Sequence, residues 1–382
     1  MAKEKSTTAT LNRLLRHQIQ IERAKSGEIK RVRSVLSKVD DQIALLILKL
    51  PKNYTQRDIN KLVKDINNLT NSFYAKTVQK TFDQIKETVV SFETDFSFVT
   101  VRDFLEGEEA AKTVSKQKVL NRVNKEKFQG KTLDNWNKRL AKDKAKRVEV
   151  EIRNSAITNA SPSRIASAAK KGIRAANNNS QAVTTAYFNQ SSNISRDQVY
   201  SENDTRVLEI VWNSVLDSGT TLTCGVRSNK RYDAITKEPI GHNAEWREGP
   251  GKIHFGCRSV GVPIDADGII TQGSGKDFKY DEGSRTALGA EDGYERGDYK
   301  SSETGKRYQR HTDKNFIERQ VVSANTDYET WLRTQPREFV EDVLGPSKAE
   351  RFLDQNLSLN KFVVPSGREL TVKQLNQKLG AI

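Results

Sequence analysis

Residues 205–215 have the sequence TRVLEIVWNSV, and the composition changes sharply on either side of them. This stretch combines β-branched and aromatic residues with partial period-two alternation, which predicts a β-strand. Only four of the 22 glycines fall within residues 1–200, and the other 18 follow. We therefore expect a helical first half, followed by a second half of short strands and turns.

The first half has the residue spacing of long helices. No proline occurs between Pro51 and Pro162, so no residue in this stretch forces a helix to end. Apolar residues recur at intervals of three and four, as in Ile59, Leu62 and Ile66, which is typical of amphipathic helices. Pro51 marks the expected break between the first two helices.

Several residues in the first half predict where helices begin and end. Residues 53–55 have the polar side chains of a helix N-cap, and Ser161 before Pro162 is typical of a helix start. The sequence NNNS at residues 177–180 predicts a helix end. Residues 1–200 are thus expected to form a basic helical module.

The second half has three predicted regions, and the fold class is α+β. Short strands, one of them within IHFGCRSVGVP at residues 253–263, predict a small mixed α/β module over residues 201–264. Residues 265–325 are polar and glycine-rich, which predicts an extended arm or linker. Apolar spacing returns near Trp331 and predicts a helical tail over residues 326–382.

The composition excludes several classes of protein. No segment approaches the roughly 20 apolar residues of a membrane span, so we expect no membrane partner. The first ten residues lack the apolar stretch of a secretory signal, so we expect the chain to stay in the compartment where it is made. Two cysteines in 382 residues exclude a disulfide-rich secreted scaffold.

Sequence motifs of the common enzyme classes are absent. The chain contains no phosphate-binding GxxxxGK[ST] loop, no GxGxxG after a strand, no HExxH and no GxSxG. Four histidines leave little room for acid–base catalysis centred on histidine. We therefore predict a protein that is not an enzyme, with no catalytic and no cofactor-binding residues.

The net charge of +15 lies entirely in the first half. Residues 1–200 contain 38 lysines and arginines against 21 acidic residues, and the rest contains 26 against 28. Such asymmetry favours contact with DNA or an acidic protein surface. A solvated helical surface is the alternative. The predicted contact residues are Lys138, Arg139, Lys142, Lys144, Lys146, Arg147, Lys170 and Lys171.

Cys224, His254 and Cys257 are the only residues with the character of a metal site. His254 and Cys257 are three positions apart, a spacing that lets both side chains reach one ion from a tight turn. Zinc is the metal that such ligands suit, with Asp217 or His242 as possible fourth ligands. A disulfide between the two cysteines, or two buried thiols beside a structural histidine, are the alternatives.

Residues 212–263 resemble the defining module of the phage Mu F-like head-morphogenesis proteins. The resemblance begins at Trp212 in its strand and continues with LDSGTT at residues 216–221, followed by Cys224. It continues with KRY at residues 230–232 and ends with Pro250 and HFGCRS at residues 254–259, before the final Val262-Pro263. Gly219 stands where the family pattern has arginine, and Ser228-Asn229 replaces most of an Asp-Gly turn.

One further departure concerns the predicted metal site. Some members of the family have a second cysteine shortly after the first. Arg227 occupies that position in this chain, which leaves the zinc site without a fourth ligand from the family pattern.

The two ends of the chain are similar to the same family. YETWLRTQP at residues 328–336, Val343-Leu344-Gly345 and LSLNKFVVPSGREL at residues 357–370 resemble the C-terminal segment of these head proteins. LLRHQIQIERAKSG at residues 14–27 resembles the opening helix of podophage relatives. The specific motifs cover about a quarter of the chain, but they touch its beginning, centre and end.

The resemblance implies a structural minor head protein of the virion. Such a protein lies inside the capsid or at the portal vertex, is assembled in the host cytoplasm, and supports head assembly and DNA packaging or ejection. The implied partners are the portal protein, the major capsid protein and packaged double-stranded DNA. Two alternatives are a packaged DNA-binding or effector protein ejected with the genome, and a free nucleic-acid-binding protein.

Overall fold

A computed structural model describes residues 7–105, 109–264, 284–290 and 317–380 of the chain. The chain is 63% helical, with long helices in its first half and short strands in its second, which confirms the predicted α+β class. In the described ranges, none of the helices combines the length and apolar content that a membrane crossing requires.

Six helices and one π-helical turn lie within residues 7–105 and 109–202. The predicted break at Pro51 is confirmed, because the first helix ends at Leu48 and the next begins after Thr55. Thr55 and Asp58 form a capping box, and Ser161 caps a helix whose first residue is Pro162. The helices are α1 Thr7–Leu48, α2 Gln56–Phe73, the π-turn Tyr74–Val78, α3 Gln79–Phe104, α4 Lys116–Lys125, α5 Leu133–Ile157 and α6 Pro162–Glu202.

The predicted helix end at residues 177–180 is wrong, because α6 continues through them to Glu202. Neighbouring helices satisfy these polar side chains: Asn177 accepts a hydrogen bond from Lys144 at 2.9 Å and donates one to Asp40 at 2.8 Å. Ser180 is fully buried and donates to Ala176 of the preceding turn. Asn177 bonds to side chains of other helices, and Ser180 bonds back to the carbonyl one turn earlier, an arrangement compatible with a continuous helix.

The helix α6 is the centre of the helical half and packs against α1, α3, α4 and α5. Gly172 lets α6 lie close to α5, because a Cβ there would lie 2.7 Å from the backbone oxygen of Arg147. Two apolar clusters fill the bundle. One lies around Phe82 and Tyr187, and the other lies around Ile59 and Ile165.

The central module contains a four-stranded antiparallel sheet in the order β4-β3-β1-β5. The strand predicted in residues 205–215 corresponds to β1. The strand predicted in residues 253–263 corresponds to β5, which covers only the end of that stretch. Leu11 and Leu14 of α1 pack against Val260 and Val262 of β5, so the beginning of the chain covers this sheet. The elements are β1 Glu209–Asn213, β2 Leu216–Asp217, α7 Leu222–Gly225, β3 Lys230–Asp233, β4 Pro239–Ile240 and β5 Val260–Ile264.

The predicted extended arm over residues 265–325 is wrong where the structure describes it. Strands β6 Ser284–Ala290 and β7 Ile317–Ser323 pair antiparallel along seven residues, and β6 also pairs parallel to β2. Buried residues alternate along β6, so one side of the strand faces a core despite its polar composition. Residues 265–283 and 291–316 of the predicted arm lie outside the described residues.

The predicted helical tail is confirmed, and it supplies the core beneath β6 and β7. Trp331, Phe339 and Phe352 are fully buried in one cluster that also contains Leu216 and Ala287. The elements of the tail are α8 Tyr328–Arg333, α9 Arg337–Leu344, α10 Pro346–Leu353, a 3-10 turn Leu359–Phe362 and α11 Val372–Leu379.

Candidate metal centre

The structure brings Cys224, His254 and Cys257 together. Cys224 lies in the single turn α7, and the other two residues lie in the loop that precedes β5. The Sγ of Cys224 is 3.1 Å from Nε2 of His254 and 3.5 Å from Sγ of Cys257. All three atoms lie within 4.8 Å of one another, and this is the one such group found in the described part of the chain.

The hydrogen bonds of His254 fix the orientation of its ring. Its Nδ1 lies 2.9 Å from the backbone oxygen of Phe255, a contact in which the ring N–H donates to the carbonyl. Nε2 then presents its lone pair towards the two sulfurs, as in histidines that bind metals. The exposed hydroxyl of Thr221 lies 3.0 Å from the same Nε2.

Both thiols are buried, and they are not joined as a disulfide. Their separation of 3.5 Å exceeds the roughly 2.05 Å of a sulfur–sulfur bond. The hydrogen bond from Cys257 lowers the pKa of Cys224 to about 7, against the opposing effect of burial. Burial and the neighbouring Cys224 raise the pKa of Cys257. Cys224 is therefore the thiol that ionises first.

Aromatic and ionic contacts hold the loops around these side chains. Cys224 and Cys257 belong to one buried cluster with Trp212, Tyr232 and Ile253. Outside this cluster, Arg258 forms a two-bond ion pair with Asp217 at 2.5 and 2.7 Å. A Cβ at Gly219 would lie 2.8 Å from the guanidinium of Arg258, so glycine leaves room for this pair.

The fourth ligands considered from the sequence are not available. Asp217 is occupied by Arg258 and by the backbone N–H of Gly219. His242 lies at the other side of β3, where Nε2 contacts the oxygen of Arg231 at 2.8 Å and Nδ1 accepts from Ala244. Both ring nitrogens of His242 thus already have backbone hydrogen-bond partners.

Arg227 also points away from the sulfur atoms. Its guanidinium donates to the backbone oxygens of Thr223, Glu245 and Pro365 at 2.6, 2.9 and 3.3 Å. The side chain is fully buried and lies over the ring of Trp212. It therefore joins α7 to the C-terminal segment and does not act as a fourth ligand beside Cys224.

Phe255, between the two loop ligands, connects the centre to the helical half. Its partly exposed ring meets Phe128 at 4.6 Å and Trp136 at 5.6 Å, both edge-to-face. Trp136 lies in the first turn of α5. This contact was not predictable from the sequence, because it joins residues more than 100 positions apart.

Seven of the eight predicted basic contact residues are exposed, and one is not. Lys144 is fully buried, where its ammonium forms an ion pair with Asp40 and donates to Asn177. The prediction that Lys144 contacts DNA or an acidic partner is therefore wrong. The exposed residues are Lys138, Arg139, Lys142, Lys146 and Arg147 on α5 and Lys170 and Lys171 on α6.

The charges of these exposed residues are partly neutralised. Lys146, Arg147 and Lys171 have carboxylates at 3.5, 2.8 and 3.9 Å, respectively. The other four, Lys138, Arg139, Lys142 and Lys170, have no ion-pair partner in the described part of the chain, and Lys138 and Lys142 lie one helical turn apart on α5. They are the strongest candidates for a contact with an external anion.

Lys138 and Lys142 also line a cleft of about 850 Å³ between α3, α4 and α5. The π-turn forms part of its wall. Asn137 lies on the same wall, nearly fully buried, and its side-chain oxygen has no hydrogen-bond partner. Sequence reasoning missed this cleft, because its lining comes from several helices that are separate in the sequence.

Four of the residues that carry the sequence resemblance lie together around the candidate metal centre. Trp212, Cys224, Tyr232 and Cys257 belong to one buried cluster, although they span more than 40 positions of the chain. No protein-family model, no curated protein and no solved structure matches this chain.

Proposed function

We propose that this chain is a structural minor head protein of a phage virion, associated with the portal vertex or the inner capsid. The proposal is supported above all by the clustering of Trp212, Cys224, Tyr232 and Cys257. These residues belong to the quoted family pattern, and a chance similarity in sequence gives no reason for them to share one core. The role is structural, in head assembly and in DNA packaging or ejection.

The dimensions of the helical half suit such a role. Helices α1 and α6 contain 42 and 41 residues, which corresponds to about 60 Å each at 1.5 Å per residue. The beginning of α1 packs on the central sheet, so the opposite end of the helix extends away from that sheet. A rod attached to a small module can bridge separate components of a particle.

The surface charge suits the implied partners. Exposed basic side chains on α5 and α6 can approach packaged double-stranded DNA or an acidic face of the portal or major capsid protein. The opposing carboxylates on the same helices make this surface moderately basic. A moderate charge is compatible with a protein that must also be released from DNA.

The test is peptide mass spectrometry of purified, nuclease-treated particles of the phage that encodes the chain. We expect its peptides in the particles at low copy number relative to the major capsid protein. A replication protein of the same phage, abundant in the lysate, serves as the control for contamination. Particles that contain the portal protein but lack this chain would overturn the proposal.

The same particles separate the structural role from an ejected effector. Release of the DNA by mild heating yields emptied particles, which are pelleted and analysed in the same way. A minor head protein that serves as a structural part is retained with the portal. Loss of the chain together with the DNA would instead favour the packaged DNA-binding or effector protein.

A further inference from the structure

We propose that Cys224, His254 and Cys257 bind one zinc ion, with a fourth coordination position that none of the described residues fills. This inference goes beyond the virion role and does not depend on it. Four observations support it. They are the distances between the ligand atoms, the chemistry of these atoms, the contacts that hold the two loops, and the hydrogen bonds that occupy Asp217, His242 and Arg227 elsewhere.

The distances match those of a tetrahedral zinc site. Zinc bonds of about 2.3 Å to sulfur and about 2.0 Å to nitrogen separate two sulfurs by about 3.7 Å, and sulfur from nitrogen by about 3.5 Å. The corresponding separations here are 3.5 Å between Cys224 and Cys257 and 3.1 Å between Cys224 and His254. For these two pairs, shifts of a few tenths of an ångström are enough to admit the ion, and all three ligand atoms lie within 4.8 Å of one another.

The ligand atoms are those that zinc prefers. Two sulfurs and one imidazole nitrogen suit zinc, whereas calcium and magnesium need oxygen ligands. The backbone N–H of Gly251 donates to Sγ of Cys257 at 3.2 Å, and the oxygen of Phe255 orients the ring of His254. Such outer hydrogen bonds stabilise the metal-bound forms of both residues.

The loops that carry the ligands are held by contacts that do not involve the ion. Ser214 donates to the backbone oxygen of Cys224 at 2.7 Å. Arg258, the residue that follows Cys257, is held by its ion pair with Asp217. The ligand positions are therefore largely formed in advance, which reduces the ordering cost of binding.

The open position follows from where the remaining candidates point. Asp217 and His242 are bonded elsewhere, and the guanidinium of Arg227 is held by three backbone oxygens. On the exposed side, the hydroxyl of Thr221 lies 3.0 Å from His254 Nε2. A water molecule or another Lewis base bound there can hydrogen-bond to this hydroxyl.

The first experiment measures zinc in the full chain, purified under reducing conditions and dialysed against metal-free buffer. Elemental analysis is expected to give one zinc per chain, and His254→Gln is expected to retain less than a tenth of it. His242→Gln, in the same module, is the matched control and keeps the metal. Absence of zinc from the unmodified chain, even after zinc is added, would overturn the proposal.

Cobalt substitution tests the ligand set without any variant, which matters if loss of His254 prevents folding. The cobalt form of the unmodified chain is expected to show the strong visible bands of tetrahedral coordination and a near-ultraviolet thiolate band. An octahedral spectrum without the thiolate band would contradict the proposal.

The open position is tested by adding imidazole to the cobalt form. Imidazole is expected to shift the visible bands in a saturable manner, because it replaces an exchangeable ligand. An unchanged spectrum would mean that the fourth position is closed, and would overturn this part of the proposal. These measurements report on metal binding alone, so their failure is distinguishable from failure of the virion role.

Discussion

Lys144 lies in the densest run of basic residues, between Lys142 and Lys146, yet its side chain is fully buried. Burial lowers its pKa, and the ion pair with Asp40 opposes this effect. The helical period explains the contrast. Residues 142 and 146 are four positions apart and share the exposed face of α5, whereas residue 144 lies between them and faces α1 and α6.

We expect Lys144→Met to lower the free energy of unfolding by about 3 kcal/mol, because Asp40 would keep a partly buried charge without its partner. Urea denaturation at neutral pH measures this effect. The matched control is Lys146→Met, whose side chain is 70% exposed, and its effect is expected within about 0.5 kcal/mol. Equal stability of the two variants would show that the pair with Asp40 contributes nothing.

At the scale of the element, α6 joins the parts of the molecule through buried ion pairs. Arg196 donates to Glu93 of α3 at 2.6 Å, and the other oxygen of Glu93 lies 2.6 Å from His17 of α1. The next residue, Asp197, pairs with Lys237 of the central module. Arg196 thus joins helices within the bundle, and the adjacent Asp197 joins the bundle to the central module.

Glu93 makes this assembly sensitive to acid. Burial on its own would raise its pKa, but Arg196 and His17 outweigh that effect, so the pKa of Glu93 is lowered below 4.5. A carboxyl with a lowered pKa in the folded state contributes stability above pH 4.5. That contribution is lost as the pH falls below 4.5 and through the lowered pKa of the folded state, because the Glu93 carboxylate then takes up a proton.

We expect Glu93→Gln to lower the free energy of unfolding by about 3 kcal/mol at neutral pH, since it leaves Arg196 buried without a counter-charge. Its stability should also fall less steeply between pH 4.5 and 3 than that of the unmodified chain. Thermal unfolding across this pH range measures both effects. Glu87→Gln, at an exposed position of the same helix, is expected to leave the pH dependence unchanged. If the stability of Glu93→Gln depended on pH in the same way as that of the unmodified chain, the argument would be refuted.

At the scale of the whole molecule, a row of exposed lysines on α5 concentrates part of the positive charge on one face of the bundle. Lys138, Lys142 and Lys146 follow one another at four-residue intervals along α5 and are all exposed. Such a row can meet successive phosphates of a duplex, and each contact adds to the salt dependence of binding. The buried Lys144 takes no part in this row.

We expect the triple variant Lys138→Glu, Lys142→Glu and Lys146→Glu to bind a short DNA duplex at least tenfold more weakly. The slope of log affinity against log salt should decrease by up to about 3, one for each lost phosphate contact. Fluorescence anisotropy at several salt concentrations measures both quantities.

The matched control changes the total charge equally at the other end of the chain. Lys361, Arg368 and Lys373 are exposed residues of the C-terminal region, and their replacement by Glu is expected to change the affinity far less. Equal losses in the two triple variants would mean that total charge, and not this face, drives binding. No loss in either would leave an acidic protein surface as the partner to test.

The sequence predicted best where the cause is local. Thr55 and Ser161 cap helices through atoms three residues away, so these helix starts were predictable from short stretches. The strand at β1 was predictable from its β-branched and aromatic residues. His254 and Cys257 lie in one turn, and their spacing alone indicated that they point to a common place.

The sequence by itself determined the α+β class, the starts of α2 and α6, and the group Cys224, His254 and Cys257 as the one with metal-ligand chemistry. Only the tertiary structure decided that Lys144 is buried, that α6 continues through residues 177–180 and that β6 pairs with β7. It also decided that Asp217 is bonded to Arg258 instead of completing the metal site. Each of these outcomes depends on a partner far away in the chain, and the hydrogen bonds and burial that such partners supply outweigh local preference.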